Sequence, residues 1–262
     1  MGILNVTPDS FSDGGLYLDK QRAIDRAIRM VDEGADIIDI GGESTRPGAE
    51  PVELEEELRR TIPVIEAISA KLDVPISIDT YKAEVARRAI EAGATMVNDI
   101  SGLRFDPEMA SVVAEYGVAV VVMHIKGTPR DMQKNPEYQD LFGEIIDYLK
   151  GSVEIAKKAG VPEERIIVDP GIGFGKKPEH NLQIINSLDR FGVLGRPILI
   201  GPSRKSFIGL VLGNLPPEER VEGTAAAVAI SVFKGASIVR VHDVKAMTRV
   251  VRVAEAIRKE VI

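Results

Sequence analysis

Cysteine is absent from all 262 residues, so disulfides, thiolate metal centres and cysteine nucleophiles are excluded. Tryptophan is also missing, and aromatic residues make up only 5% of the chain. With three histidines, His124, His180 and His242, and no HxH or HExxH spacing, a zinc centre is disfavoured. No GxSxG follows a strand-like run, which removes the usual setting of a serine nucleophile. Basic tracts and positive stripes interleaved with aromatics are lacking too. With a formal net charge of -7, nucleic acid is not an expected partner. No apolar run is long enough to span a bilayer and no secretory pattern precedes the first motif, so a membrane partner is not expected and the expected setting is cytoplasmic.

What is present is a repeating unit. Short Ile- and Val-rich runs alternate with longer amphipathic ones about eight times. Strands are predicted at Gly2–Asn5, Asp36–Ile40, Pro75–Asp79, Met96–Asp99, Ala119–His124, Ile166–Asp169, Ile198–Gly201 and Ile238–His242. Both faces of these runs are apolar, as in parallel strands covered by helices. Helical patterns fill Lys20–Glu33, Val52–Lys71, Lys82–Ala92, Pro107–Tyr116, Tyr138–Ala159, Pro178–Phe191, Val221–Phe233 and Lys245–Lys259. Gly34, Gly93, Gly117, Gly160 and Gly235 each follow a helix, where a left-handed residue closes the last turn. Asp106-Pro107 reads as a capped helix start. The pattern predicts an α/β fold, a (β/α)8 TIM barrel occupying residues 1–262 as one domain.

The two ends of the strands differ chemically. Their starts are plain, whereas their C-terminal ends carry Asn5, Asp39, Asp79, Asn98, Asp99, His124, Asp169, Ser203, Lys205, Arg240 and His242. An open sheet would bind its ligand at one crevice, but so many decorated ends imply a ligand across the centre of a closed ring. Long loops at Thr7–Asp19 and Gly41–Pro51 are expected to cover it.

Asp79, Asn98 and Asp169 are the expected partners of a heterocycle: a carboxylate accepts from an amino group and the ring N–H beside it, and Asn98 can donate and accept. The competing reading is that each caps the next helix. Asp169–Lys176, DPGIGFGK, has closely spaced glycines that let backbone approach a flat ring, with Phe174 in the same pocket, or that simply form a turn. It lacks dinucleotide-binding spacing. Lys205, at a helix start, and Arg240 with His242 on one side of the last strand suit an anion. For Arg240 the alternative is a salt bridge to a strand-end carboxylate. Asn5 is either a ligand contact or a brace for the Thr7-Pro8 turn, and His180 reads as structural.

The motifs MGILNVTPDSFSD (Met1–Asp13), DIGGESTRP (Asp39–Pro47), SIDT (Ser77–Thr80), VNDISG (Val97–Gly102), MHIKG (Met123–Gly127), DPGIGFG (Asp169–Gly175), SRKS (Ser203–Ser206) and RVHDV (Arg240–Val244) occur in order over nearly the whole chain. Together they resemble the dihydropteroate synthase family. The resemblance implies transfer of the dihydropterin-6-ylmethyl group from 6-hydroxymethyl-7,8-dihydropterin diphosphate to 4-aminobenzoate, with release of diphosphate, in folate biosynthesis. It assigns Asp79, Asn98, Met123, Asp169 and Lys205 to the pterin. Asn5, Arg240 and His242 go to the diphosphate, with Mg²⁺ as cofactor and Asn5 as its ligand. Phe11, Thr45, Arg46, Pro47, Phe174 and Ser206 go to 4-aminobenzoate, where sulfonamides compete. Asp79, Lys205, Arg240 and His242 are the expected catalytic set, and a homodimer is the expected assembly.

The chain departs from the family pattern in starting directly at the first strand and in having Pro202, which lacks an amide donor, before SRKS. The rival readings are a pterin-binding methyltransferase and an inactive pterin-binding barrel.

Overall fold

The computed structural model describes residues 1–7 and 15–261, without the side chains of residues 15–19. The strands are β1 (Gly2–Asn5), β2 (Ile38–Gly41), β3 (Ile76–Asp79), β4 (Met96–Asp99), β5 (Ala119–Met123), β6 (Ile166–Asp169), β7 (Leu199–Ile200) and β8 (Ile238–Val239). The helices are α1 (Gly15–Asp32), α2 (Leu54–Ser69), α3 (Ala83–Glu91), α4 (Met109–Tyr116), α5 (Leu141–Ala159), α6 (Pro178–Asn186), α7 (Ser206–Val211), α8 (Val221–Phe233) and α9 (Val244–Lys259). Strands β1 to β6 pair in parallel in chain order, and β7 pairs with β8. Parallel bridges Val168↔Ile198 and Gly2↔Val241 join the two groups and close the ring. The fold is the expected (β/α)8 barrel.

Strand β5 shows how sequence produces the layers. Its run Ala-Val-Val-Val-Met is rich in β-branched residues, which suit a pleated strand covered on both sides. Val120 and Val122 pack outward into the core shared with the helices. Val121 points inward, where it meets Met1, Met96, Ile167 and Leu199 in an apolar plug. Side chains alternate with period two, so the next inward positions lie one layer higher. On β3 to β6 these are Asp79, Asn98, Met123 and Asp169; just beyond β7 and β8 they are Gly201 and Arg240. The barrel is therefore apolar below and polar above.

The glycines expected after helices do have left-handed backbones, with φ of +99° at Gly34, +116° at Gly93 and +101° at Gly160. Other expectations need adjustment. Asp106 accepts from the Glu108 amide at 3.0 Å, but its second oxygen accepts from Ala83 N at 2.8 Å, so one carboxylate serves the starts of α3 and α4. Strand β7 is only two residues long. Pro197 and Pro202 flank it, and neither can donate to a ladder. The Pro178–Phe191 helix ends at Asn186 and continues as a tighter 3₁₀ segment, Leu188–Leu194. The short helix α7, within no predicted range, begins directly after Lys205.

Candidate functional site

One cleft opens above the apolar plug. Eight of the residues expected to form the site line it. Asp79, Asn98, Met123 and Asp169 come from strand ends, Arg240 from just past β8, Thr45 and Phe174 from loops, and Lys205 from the start of α7. Ile100, Ile172 and Gly201 complete the wall. Residues as distant in sequence as Thr45 and Arg240 thus converge because every strand ends at the same rim.

Arg240 ties the floor together. Its Nε donates to Asp39 Oδ2 at 2.6 Å, and its Nη2 donates to Asp79 Oδ2 at 2.6 Å. The salt bridge considered for Arg240 is therefore present, with two carboxylates on one planar fork. Nη1 has no partner among the described residues. Asp39 is fully buried and belongs to the site, although the sequence reading assigned it no ligand role. Asn98 Nδ2 makes a long contact of 3.4 Å to Asp39 Oδ2.

Three carboxylates keep an oxygen in reserve, and Asp39 Oδ1 is buried without a hydrogen-bond partner among the described residues. Asp79 Oδ1 is buried without a hydrogen-bond partner. Asp169 Oδ1 accepts from Gly171 N at 2.7 Å, and Oδ2 has no donor among the described residues. A buried acceptor left open is costly, so these atoms suit a ligand with N–H donors. Burial pushes the Asp79 carboxyl up to about 7, with Arg240 pulling it down and Asp39 raising it further. Burial likewise raises Asp169 to about 6, opposed by the Gly171 amide and by Lys176, Lys205 and Arg240. Lys205 holds its ammonium 4.3 Å from the Phe174 ring centre, and burial lowers it to about 8.

The glycine-rich turn proves to be a packing device. Gly171, Gly173 and Gly175 have φ of +73°, +83° and +64°. A Cβ on Gly171 would lie 2.0 Å from the His124 carbonyl oxygen, and one on Gly173 would lie 3.2 Å from Lys205 Cδ. Closeness to protein, rather than to a ring, accounts for both glycines.

Other expected residues lie outside this lining. His242 is not a charged donor: burial, then Arg240 and Arg204, push it down to about 3. Its Nδ1 lies 3.0 Å from Ser203 Oγ, which also accepts from the His242 amide at 3.1 Å. Arg46, Pro47 and Ser206 are exposed. Asn5 stands near the cleft floor: a methyl placed on Gly41 would meet Asn5 Oδ1 at 3.8 Å and Asp79 Oδ2 at 3.6 Å. Phe11 lies outside the described residues. His180 is structural, accepting from Lys177 N at the start of α6.

The expectation of Mg²⁺ is overturned. Among the described residues no group of three or more His, Asp or Glu side chains could hold a metal ion, and one amide, Asn5, does not make such a site. Two cations with no role assigned from the sequence are buried Lys176, at 2% exposure, and half-buried Lys82, which bonds Glu43 and Glu57 at 2.5 Å each. Lys176 was legible only as the last letter of DPGIGFGK. Lys82 gave no signal, since its partners lie 39 and 25 positions away.

A closed barrel whose mouth offers open carboxylate acceptors beside cations defines an enzyme for a nitrogen heterocycle with an anionic tail. Comparison with known proteins narrows the class. The pterin binding enzyme family matches residues 1–242. The dihydropteroate synthase of Synechocystis is 54% identical over 98% of this chain and 89% of its own length. Among solved structures, the Clostridium difficile dihydropteroate synthase determined in the presence of pteroic acid is 50% identical. It covers 98% of this chain and 95% of its own, with a TM-score of 0.93. The Xanthomonas albilineans enzyme with 4-aminobenzoic acid is 46% identical over 98% of this chain and 92% of its own, with a TM-score of 0.92. The chain belongs to the dihydropteroate synthase family.

Proposed function

We infer that the barrel mouth joins 6-hydroxymethyl-7,8-dihydropterin diphosphate to 4-aminobenzoate, forming 7,8-dihydropteroate and releasing diphosphate, with the following division of labour. The observation that carries the reading is the pairing of two carboxylate oxygens without a donor among the described residues, buried Asp79 Oδ1 and Asp169 Oδ2, with Lys205 and Arg240 in one cleft.

Asp169 Oδ2 accepts from the pterin amino group and its neighbouring ring N–H. Asn98 serves the same edge, and Lys205 donates to the ring carbonyl. Met123 and Phe174 supply apolar contact. Arg240 keeps Nη1 for a phosphate oxygen while its other nitrogens remain on Asp39 and Asp79. As the C–O bond to diphosphate lengthens, Arg240 and Lys205 stabilise the departing charge. The methylene carbon gains positive character shared with the ring, and Asp79 Oδ1 is placed to stabilise it. The amine attacks from the opposite side, its C–N bond replacing the broken C–O bond and its surplus proton passing to the released diphosphate or to solvent, so no covalent enzyme intermediate is required. Thr45 lines the approach, and Arg46 and Ser206, at the exposed rim, suit the aminobenzoate carboxylate. His242 contributes as a neutral residue held by Ser203.

Calorimetry with the pterin diphosphate tests the assignment. Asp169→Ala and Lys205→Ala are expected to weaken binding at least tenfold, whereas Arg240→Ala chiefly impairs use of the diphosphate substrate. Unchanged affinity in the first two overturns the pocket. Diphosphate release on mixing both substrates excludes a methyltransferase, and its absence with retained pterin binding indicates an inactive barrel.

The chain is taken to act as one domain and as a homodimer. The outer faces of α8 and α9 support the dimer: Ile230, Phe233, Val253 and Ile257 are 46–63% exposed on one continuous apolar groove. The cytoplasmic setting expected from the sequence belongs to the same proposal. No helix among the described residues is long and apolar enough to cross a membrane.

A further inference from the structure

Lys176 is 2% exposed, yet no carboxylate lies within salt-bridge distance of its ammonium among the described residues. Its hydrogens go instead to neutral acceptors, His124 Nδ1 at 2.9 Å and the Phe174 carbonyl at 3.0 Å. An ammonium has nothing to accept with, so His124 presents a bare Nδ1 and carries its proton on Nε2. The ring is itself buried, at 4% exposure, and lies edge-on to Tyr148 with centroids 4.8 Å apart. Burial and the Lys176 charge push its basicity down to about 2, so it stays neutral.

A buried lysine held only by neutral groups is a poor stabilising device, because desolvation of the charge is not repaid by contact with an anion. Its position suggests another use. The Phe174 carbonyl it grips belongs to the turn from Gly171 to Gly175, and the His124 amide donates to the Asp169 carbonyl at 3.0 Å. Lys176 thus fastens together the two segments that flank Asp169. Burial pushes the Lys176 ammonium down to about 7, and the attraction of Asp169 is the leading influence that favours its charged form, which prevails below that pH.

The floor is also balanced in charge. Asp39, Asp79 and Asp169 face Arg240, Lys205 and Lys176. Arg240 is taken up by the first two carboxylates, and Lys205 lines the cleft, where a ligand engages it. Lys176 does not line the cleft, so it remains the cation acting on Asp169 when a ligand engages Lys205.

We propose that Lys176 is a positioning residue for the pterin: anchored by His124 and Phe174, its ammonium keeps Asp169 a carboxylate and holds the glycine turn whose Gly171 amide orients it. The inference rests on the pterin reading of the cleft. The groups that face Asp169 are Lys176, Lys205, Arg240 and neutral His124; those that face Lys176 are Asp169, Lys205 and His124.

The test is the affinity of the full-length protein for the pterin diphosphate, measured by calorimetry from pH 5 to pH 9. Protonated Asp169 cannot accept two N–H donors, so wild-type affinity is expected to fall below about pH 6. Lys176→Met removes the charge at similar volume. It is expected to move that fall upward by about one pH unit, the scale of a unit charge lost from a partly screened buried site. In an Asp169→Asn background the same substitution is expected to move nothing. A purely structural role for Lys176 would lower affinity equally at every pH, and that result overturns the proposal. So does a shift that persists in the Asp169→Asn background. Lys176→Gln, which still donates to the Phe174 carbonyl, serves as the second uncharged variant should methionine prevent folding. Wild-type protein that binds no pterin at any pH would instead refute the reading of the cleft.

Discussion

Arg240 shows how one residue carries both stability and chemistry. Its planar fork holds one oxygen each of Asp39, which is fully buried, and Asp79, which is 8% exposed. Removing it strands two buried carboxylates, a change that typically costs about 3–5 kcal/mol. Arg240→Met is therefore expected to be strongly destabilised at neutral pH, and Arg240→Lys is expected to recover little, since one ammonium cannot span both oxygens. The deficit should depend on pH in a defined sense. Asp79 is already raised to about 7, and losing the guanidinium raises it further. A carboxyl whose folded pKa exceeds its unfolded value binds more protons when folded, so its burden is fully present above the folded pKa. That burden is relieved as the pH falls toward the unfolded value of about 4. Urea denaturation between pH 8 and pH 5 checks this: the gap between wild type and Arg240→Met should narrow steadily, and a gap that widens would contradict the account.

Single positions differed in how readily the sequence disclosed them. Asp79, Asn98, Asp169 and Arg240 were legible because each is a polar letter at the end of an apolar run, Lys205 because it stands at a helix start beyond one, and all five line the cleft. Asp39 sits lower on β2, in register with Ser77, and gives Oδ2 to Arg240, a partner 201 positions away, which no local pattern reveals. His242 was legible as a residue but not in its charge, because its low basicity comes from burial and from Arg240 and Arg204.

At the scale of elements, the αβ turns and the glycine turn after β6 use the same left-handed backbone for different ends. Gly117 has φ +62° and nothing within 4 Å of a hypothetical Cβ, whereas Gly171 has φ +73° and a carbonyl oxygen at 2.0 Å. Gly117→Ala is expected to cost only the left-handed penalty of about 1–2 kcal/mol. Gly171→Ala adds a steric conflict of roughly 1–3 kcal/mol or more and displaces the amide that bonds Asp169. Thermal melts should show the larger loss for Gly171→Ala, and pterin affinity should fall in that variant alone. Equal melting losses would mean that the turn relaxes freely around its new side chain.

Strand and helix order could be read from periodicity because the barrel repeats one unit. Its limits appear where local chemistry interrupts the pattern. Two prolines shorten β7. The function of the glycines in DPGIGFG was ambiguous for a related reason: tight backbone turns and approach to a ligand demand the same residue.

At the scale of the whole molecule, α8 is the element that a lone barrel does not explain. Its sequence, VEGTAAAVAISVF, is apolar nearly all round, a pattern suited to a helix covered on every side. Thr224, Ala227, Val228, Ser231 and Val232 face the barrel, but Ile230 and Phe233 remain outside it. Alongside them run Val253 and Ile257 of α9. A second copy related by a two-fold axis would bury the same groove on both partners, as an isologous interface requires. The surface lies on barrel helices rather than at the cleft, so pairing leaves the strand ends accessible. Phe233→Glu places a charge in the middle of this groove, where it would be desolvated on association. Sedimentation is expected to show a dimer for wild type and a monomer for Phe233→Glu, and the wild-type melting temperature should rise with protein concentration. Pterin affinity should be nearly unchanged in the variant, because the substitution lies outside the cleft lining. Wild type that sediments as a monomer at every concentration would remove the dimer and leave the groove without its proposed occupant.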